Sequence, residues 1–298
     1  MSAIEVPSHF LEDGRQWLWN HSTLEPAKVC PRKYYYTVIE GWRPRSSSDD
    51  LIFGSHYAKA LETYHQHRAL GESHKVAVQH AVMYRLAGTV GWHTDNTVKN
   101  RETLIRSIVW YLDTYENDPC ETVILADGTP SVELTFQFQL DDDIILAGHL
   151  DRIVRYAGDV YIQDQKTTKA TIGGYYYQRY NPDDQMSLYT IAGQIVYQQP
   201  IKGVMIDVAQ IAVGFTRFER GFTFRTAAQT QKWLADAKYW IYRTWEAADA
   251  GWPLNDAACM MYGGCPFRAV CSKDPSVQQE YLETLFYRVS SNPLAPRE

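Results

Sequence analysis

The chain has no uninterrupted apolar run of the ~18 residues a membrane-spanning helix requires, so no such helix is expected. Its first residues, MSAIEVPSHFLEDGRQW, are acidic and lack the apolar stretch of a secretory leader, so a cytoplasmic setting is the expectation. An excess of positive charge is also missing. A formal net charge of −6 excludes a polycationic coat for nucleic acid. It leaves a local basic groove open, because total charge and the charge of a binding footprint are separate quantities. No GxxxxGK[ST] phosphate loop is present, which excludes a motor of that kind. There is no internal repeat and no low-complexity linker. Cysteines are few, five in all. In a cytosolic protein, where disulfides are rare, clustered cysteines point to metal more than to cross-links.

What is present suffices for a large folded core: 298 residues, 45% hydrophobic and 21% charged. The 21 Tyr and 9 Trp can build that core or supply platforms for bases. FGSHYAKALETYHQHRAL (53–70) and VKNRETLIRSIVWYLDTYE (98–116) read as amphipathic helices. After Pro119, TVILA, SVELTFQFQL, IILAGHLDRIVRY and DVYIQDQ read as strands, separated by the turn signals DGTP, DDD and YAGD. Asn181-Pro182 reads as an N-cap and first helical position, opening a helix through DDQMSLYTIAGQIVYQ. KGVMIDVAQIAV and GFTFRT read as strands, 226–250 as a long helix, and the end of the chain as a cysteine segment followed by irregular structure. This order predicts a mixed sheet flanked by helices, of α/β or α+β class.

One stretch concentrates charge around a turn: GHLDRIVRYAGDVYIQDQKTT, residues 148–168. With Ala157-Gly158 as a two-residue hairpin turn, Asp151 falls opposite Asp164 and His149 opposite Lys166, all on one face. Opposed carboxylates repel, or one takes up a proton. A divalent cation relieves that conflict, and Mg²⁺ prefers such oxygen donors, with the Gln165 carbonyl as a further one. Lys166 would then stand beside the ion, placed to orient water or stabilise developing charge. The plainer alternative is a solvated hairpin in which Lys166 pairs with Asp164.

GHLDRIV followed by DVYIQDQKTT resembles the PD-(D/E)xK nuclease superfamily, in particular its RecB-like branch. Asp151 matches the first acidic position, and Asp164 and Lys166 match the second motif with Gln165 between them. Gln185 and Tyr189 match the Q-x-x-x-Y of a downstream helix, where their spacing sets both on one face. Glu133, in SVELTF, matches an acidic residue on the preceding strand. The branch also opens on a helix reading G-x-x-x-H-x-x-L-E. Here Gly54, Leu61 and Glu62 are in register, but Ala58 stands where the metal-binding His is expected, so either His56 substitutes or the metal site lacks its His ligand. The resemblance implies a restriction-endonuclease-like core, Mg²⁺ or Mn²⁺ as cofactor, and metal-dependent hydrolysis of DNA. Asp151, Asp164, Gln165 and His56 are its candidate ligands; Glu133, Asp151, Asp164, Lys166, Gln185 and Tyr189 are its candidate catalytic set. Single-stranded DNA or DNA ends would be the substrate, by exonuclease or end-processing action in recombination, repair or phage DNA metabolism. A recombination or replication protein is a possible partner, and a bacterial or phage-infected cell the setting. One rival is a nuclease-fold protein that binds DNA or a partner without cutting; the other is a zinc-stabilised structural or packaging protein.

Four of the cysteines are Cys30, in VCPRKYYY, and Cys259, Cys265 and Cys271, in CMMYGGCPFRAVC. On ligand count alone they suit zinc or an iron–sulfur cluster equally. Within the same branch, AddB-like and CRISPR-adaptation-nuclease-like proteins carry one Cys before the core and three after it, holding a [4Fe–4S] cluster. That resemblance implies a cluster that clamps the termini, with zinc as the alternative. It makes 1–298 one nuclease domain, with 1–50 and 254–280 as an iron–sulfur lobe and 281–298 as an irregular tail. Cys120 fits no motif and reads as a packing residue. Candidate DNA contacts are Arg152, Arg155, Lys169 and Arg179 toward phosphates and Tyr176, in YYYQRY, toward bases.

Overall fold

In chain order, the computed structural model, which describes residues 9–11, 13–46, 48–290 and 294, begins with β1 (Leu18–Trp19), α1 (His21–Val29), α2 (Pro31–Tyr34) and β2 (Trp42–Pro44). Three helices follow: α3 (Asp49–Ala69), α4 (His74–Gly88) and α5 (Arg101–Thr114). Then come β3 (Glu121–Thr122), β4 (Val132–Asp141), β5 (Ile144–Tyr156) and β6 (Asp159–Thr168). The chain continues through α6 (Gly174–Gln178), α7 (Asp184–Tyr197), β7 (Gly203–Ile211), β8 (Thr216–Thr223) and α8 (Ala227–Asp249). It closes with α9 (Arg268–Cys271), α10 (Gln278–Leu285) and β9 (Phe286–Arg288). The acidic stretch ahead of residue 9 and most of the tail beyond 290 lie outside the described residues.

The chain divides into two compact units. The first takes the described residues of Met1–Ser47, Gln137–Gly148 and Gln231–Ala295; the second takes those of Ser48–Phe136 and His149–Thr230. In the second unit, β5 and β6 pair antiparallel, β6 and β7 parallel, and β7 and β8 antiparallel, a mixed sheet with helices on both faces. On one face Phe53, Tyr57 and Leu61 of α3, Ala77 and Ala81 of α4, and Leu104 and Ile108 of α5 pack with Ala209 and Ile211 of β7. Burial of each large apolar side chain there contributes ~1.5–3 kcal/mol. α7 covers the other face and comes close at Gly193, where a Cβ would collide with Ile162 of β6.

The helix starts obey local chemistry. Ser48, Ser73 and Asn100 each accept a hydrogen bond from the backbone N–H three residues on, satisfying a donor the helix itself leaves orphaned. The helix expected from Asn181-Pro182 begins later. Asp183 is its N-cap, accepting from the Met186 amide, so α7 starts at Asp184. TVILA contributes only the end of the two-residue β3 and an isolated bridge, Ile124 with Pro130. The strand expected at GFTFRT starts earlier, at Thr216. α4 has no counterpart among the expected elements: its buried positions are the small Ala77 and Ala81 and the polar Arg85, which give a weak apolar signal.

In the first unit Trp19 stacks on Tyr34 at 5.5 Å, and the Tyr34 hydroxyl donates to Gln16 Oε1 at 2.7 Å. The expectation of an irregular tail fails for residues 281–288. α10 ends in β9, which pairs antiparallel with β2, Trp42 opposite Arg288. Leu282 and Phe286 are buried with Tyr36, Trp42, Phe267 and Val270, and that apolar cluster orders the segment.

Candidate active site

The hairpin register is the one the turn dictates. Ala157 and Gly158 both take positive φ, 49° and 89°, as the favoured two-residue hairpin turn demands. Pairing runs from Tyr156 opposite Asp159 to Arg152 opposite Gln163, which leaves Asp151 and Asp164 each one residue beyond the last pair. There the Asp151 carboxylate accepts the Gln165 amide at 2.9 Å.

β6 sorts its side chains by face. Asp164 and Lys166 point toward α7, while Gln163, Gln165 and Thr167 point toward α3 and α5. Asp164 is 1% exposed. Lys166 Nζ lies 2.8 Å from its Oδ2 and 3.0 Å from its Oδ1, and donates to Gln185 Oε1 at 2.9 Å. Gln185 Nε2 in turn donates to the buried Tyr189 hydroxyl at 2.9 Å. The i,i+4 pair of α7 thus forms one relay that ends on the lysine. Burial works against the ammonium, but Asp164, then Tyr189 and Asp151, more than offset it and hold Lys166 above the usual lysine range. The surrounding carboxylates thus favour the ammonium form of Lys166.

Asp151, Gln165 and Lys166 open onto a cleft of about 570 Å³. Its far wall is α3, with Asp50, Gly54, Ala58, Lys59 and Glu62. Glu133 completes it from β4. This residue holds φ at 51°, the left-handed region that a non-glycine residue rarely adopts and that clusters at functional sites. Its Oε1 is 4.0 Å from His149 Nδ1, and that ring also contacts the Thr135 hydroxyl at 3.1 Å.

His56 does not join the acids. Its Nδ1 lies 3.0 Å from Arg85 Nη1 and its ring packs near Trp92, because two residues on a helix turn it well away from the face that carries Ala58. Burial and the Arg85 charge lower its basicity. The lining supplied by Ala58 therefore offers no imidazole.

Two of the candidate DNA contacts are turned inward. Arg152 is 4% exposed; its guanidinium donates to Gln163 Oε1 at 3.0 Å and to the Cys120 carbonyl at 2.7 Å. Tyr176 is buried, its hydroxyl 3.1 Å from that of Tyr180 and its ring covered by the Arg179 guanidinium at 4.8 Å, so no base can stack on it. Arg155, Lys169 and Arg179 are exposed, Lys169 paired with Asp50 at 3.0 Å.

Lys99 carries no sequence signal, yet it stands directly behind the cleft. It is 1% exposed, donates to the Thr167 hydroxyl at 2.7 Å and lies over the Phe53 ring at 4.8 Å. Burial lowers it to about 8, with Asp50 at 3.6 Å partly offsetting.

In the first unit, Cys30, Cys259, Cys265 and Cys271 line one cavity of about 230 Å³ together with Arg32, Lys33 and Arg268. Burial pushes the Cys271 thiol up to about 11, against the pull of Arg32, and raises Cys265 as well. Among the described residues no three of these sulfurs lie within 4.8 Å of one another. Cys120 stands apart, buried in the second unit with its sulfur 3.8 Å from that of Met205.

Residues 18–272 match the PD-(D/E)XK nuclease superfamily. No curated protein shows significant similarity to the chain. A solved structure from Eubacterium rectale, described as "Putative exonuclease", is 9% identical, with a TM-score of 0.51 covering 85% of this chain and 90% of that one. At that identity the likeness is one of fold.

Proposed function

Because the chain belongs to the PD-(D/E)XK nuclease superfamily, we propose that it is a metal-dependent deoxyribonuclease of the RecB-like branch, acting on single strands or DNA ends. The observation that carries this reading is the Lys166 ammonium, held between buried Asp164 and Gln185 beside Asp151 on the neighbouring strand. The description of the Eubacterium rectale protein of similar fold supports exonuclease action.

The donor set fits a hard divalent cation. Asp151 and Gln165 line the cleft, with Asp164 buried beside them, and their oxygens suit Mg²⁺ or Mn²⁺; the cleft lining lacks the imidazole that would favour a softer ion. When bound, such an ion supplies Lewis acidity toward a phosphoryl oxygen and a more acidic water. Lys166 stabilises the charge that builds on the phosphate. Gln185 fixes the direction of the lysine, and Tyr189 fixes Gln185. Glu133 adds a carboxylate to the lining of the cleft. Arg155, Lys169 and Arg179 are the exposed cations for the DNA backbone.

The four cysteines support a [4Fe–4S] cluster over zinc. Four thiolates on one zinc at ~2.3 Å stand only ~3.8 Å apart. Those of a four-iron cluster each bind a different iron and stand wider, and among the described residues no three of these sulfurs come within 4.8 Å of one another. Arg32, Lys33 and Arg268 offset the negative charge of the ligated thiolates. The cluster would tie residues around 30 to the segment after 254, as one lobe of a nuclease.

The second reading, a nuclease fold that binds DNA without cutting, rests on Ala58 in the cleft wall and His56 turned away from it. A cleavage time course on end-labelled single-stranded, duplex and circular DNA with Mg²⁺ or Mn²⁺ separates the two. Degradation from ends that is lost in Asp164→Ala supports the nuclease; activity unchanged in Asp164→Ala defeats it.

A further inference from the structure

The two walls of the cleft come from distant parts of the chain. Asp50 and Gly54 belong to the first two turns of α3, and Thr167 to the end of β6. The walls come close at Gly54, where an added Cβ would stand 3.7 Å from Thr167 Oγ1. Lys99 reaches both of them from behind. Its Nζ donates to Thr167 Oγ1 at 2.7 Å and stands 3.6 Å from Asp50 Oδ1. It also lies over the ring of Phe53, in the same stretch of α3, at 4.8 Å.

The backbone that carries Lys99 is fixed on either side. The amides of Val98 and Lys99 donate to Asn96 Oδ1 at 3.0 Å and 2.9 Å. Thr94 Oγ1 accepts the Asn96 amide at 3.1 Å and donates to Asp49 Oδ2 at 2.6 Å. After Lys99, Asn100 caps α5 by accepting the Thr103 amide at 3.0 Å. The loop ahead of α5 is thus tied to the first turn of α3 at two successive carboxylates, Asp49 and Asp50.

Stability does not explain the ammonium. Burial lowers Lys99 to about 8 and Asp50 offsets only part of that, so the charge weakens the fold at neutral pH. An apolar side chain of similar length would fill the same place without that penalty. Contact with DNA does not explain it either, because the side chain is 2% exposed.

We propose that Lys99 is a positioning residue for the cleavage reaction, fastening β6 to α3 across the back of the cleft and so setting Lys166 against the opposite wall. The inference rests on the nuclease reading of that cleft. Thr167 follows Lys166 directly, and successive side chains of a strand point to opposite faces. The bond from Lys99 therefore holds the strand on one face while Gln185 holds the lysine on the other.

The test is steady-state cleavage of end-labelled single-stranded DNA in saturating MgCl₂ at pH 7.5. It compares the full chain with Lys99→Met, Thr167→Val and the double variant, with urea unfolding of each. Lys99→Met should lower kcat about 10–100-fold, the range in which partners that orient metal-site side chains act. KM for DNA should be unchanged and the urea midpoint no lower than that of the unaltered chain. The double variant should be no slower than Lys99→Met alone, because both substitutions remove one bond. An unchanged kcat in Lys99→Met, a loss no larger than the fall in folded fraction, or additive effects of the two substitutions overturns the proposal. Thr167→Val removes the acceptor and leaves the charge, so its kcat decides alone if Lys99→Met does not fold. An unaltered chain that does not cleave defeats the nuclease reading itself, and this inference with it.

Discussion

Replacing Lys166 with methionine should separate its electrostatic support of the fold from its part in cleavage. Methionine keeps most of the length and volume and removes the charge. In the intact protein the ammonium stands 2.8 Å and 3.0 Å from the two oxygens of Asp164, a carboxylate that is itself 1% exposed. Removing one partner of a buried pair costs ~3–5 kcal/mol. The lysine side chain is 28% exposed, so water already screens part of the interaction, and a loss of about 2–3 kcal/mol is expected. Asp164 would respond by binding a proton more readily, as a buried carboxylate does when an opposite charge is removed. If Asp151 and Asp164 are the cation ligands, Mg²⁺ replaces the missing positive charge. Urea unfolding of Lys166→Met should therefore show the full loss in chelator and recovery in millimolar Mg²⁺, with a smaller Mg²⁺ effect on the unaltered protein. Cleavage should follow the opposite course. Loss of an electrostatic donor typically lowers turnover ~10²–10³-fold, and Mg²⁺ should not restore it. A variant as stable as the unaltered chain in chelator, or one that keeps more than about a tenth of its cleavage rate, would refute this reasoning.

Lys99 gives a prediction in pH. Its folded-state value is lowered to about 8, so between there and the ordinary 10.5 the unfolded chain holds a proton that the folded chain has released. Stability should rise with pH across that window, by up to ~3 kcal/mol, and the penalty should be complete below pH 8. Unfolding free energies at pH 7.5 and 10 should show the native chain gaining on Lys99→Met; a constant difference would contradict the assignment. Arg152→Met should cost ~3–5 kcal/mol in urea unfolding, because Arg152 is buried beside Asp118 at 3.8 Å, and should leave the salt dependence of DNA binding unchanged. Arg179→Ala should change stability by less than ~0.5 kcal/mol and lower the slope of log K against log salt by about 1. A slope change from Arg152→Met with none from Arg179→Ala would reverse that assignment. Cys30→Ser should abolish the brown colour and iron content of protein purified anaerobically; a colourless parent protein containing zinc would remove the cluster reading.

What the sequence made readable was what local geometry settles. A two-residue turn with Gly at its second position fixes hairpin register, which carries Asp151 and Asp164 to the positions just past the last pair, Arg152 with Gln163. The helical period brings Gln185 and Tyr189 to one face without reference to the rest of the fold. Arg152 was not readable in this way. It lies on the same strand face as the buried Leu150 and Val154, and Asp118, Gln163 and the Cys120 carbonyl compensate its charge from distant parts of the chain. YYYQRY fails for a related reason. Tyr176 and Tyr180, four residues apart, both turn into the protein, and the exposed ring is that of Tyr175. Lys99 is a single lysine ahead of a helix cap, and only the tertiary fold brings it to Thr167.

The two faces of β6 are linked by the strand itself. On the face toward α5, Asp207 Oδ2 accepts from the Tyr111 hydroxyl at 2.5 Å, from Gln163 Nε2 at 2.6 Å and from Arg220 Nε at 3.2 Å. Arg220 also forms a two-point pair with Asp118, at 2.6 Å and 2.8 Å. Burial raises the Asp207 carboxyl despite Arg220, and burial opposes the charge of Arg220, which Asp118 and Asp207 nevertheless hold above the usual arginine range. Such a network is a poor source of net stability, since apolar residues of similar volume often do as well. It does discriminate between registers. Gln163 joins Arg152 on β5 to Asp207 on β7 through the two ends of one amide. A slip of β6 by one residue would turn that amide onto the α7 face, and a slip by two would remove it from both partners. The next residues along the strand are Asp164 and Lys166. The bonds that hold Gln163 between β5 and β7 therefore also hold the lysine against Gln185, so the polar core behind the sheet fixes the geometry on which the cleft depends.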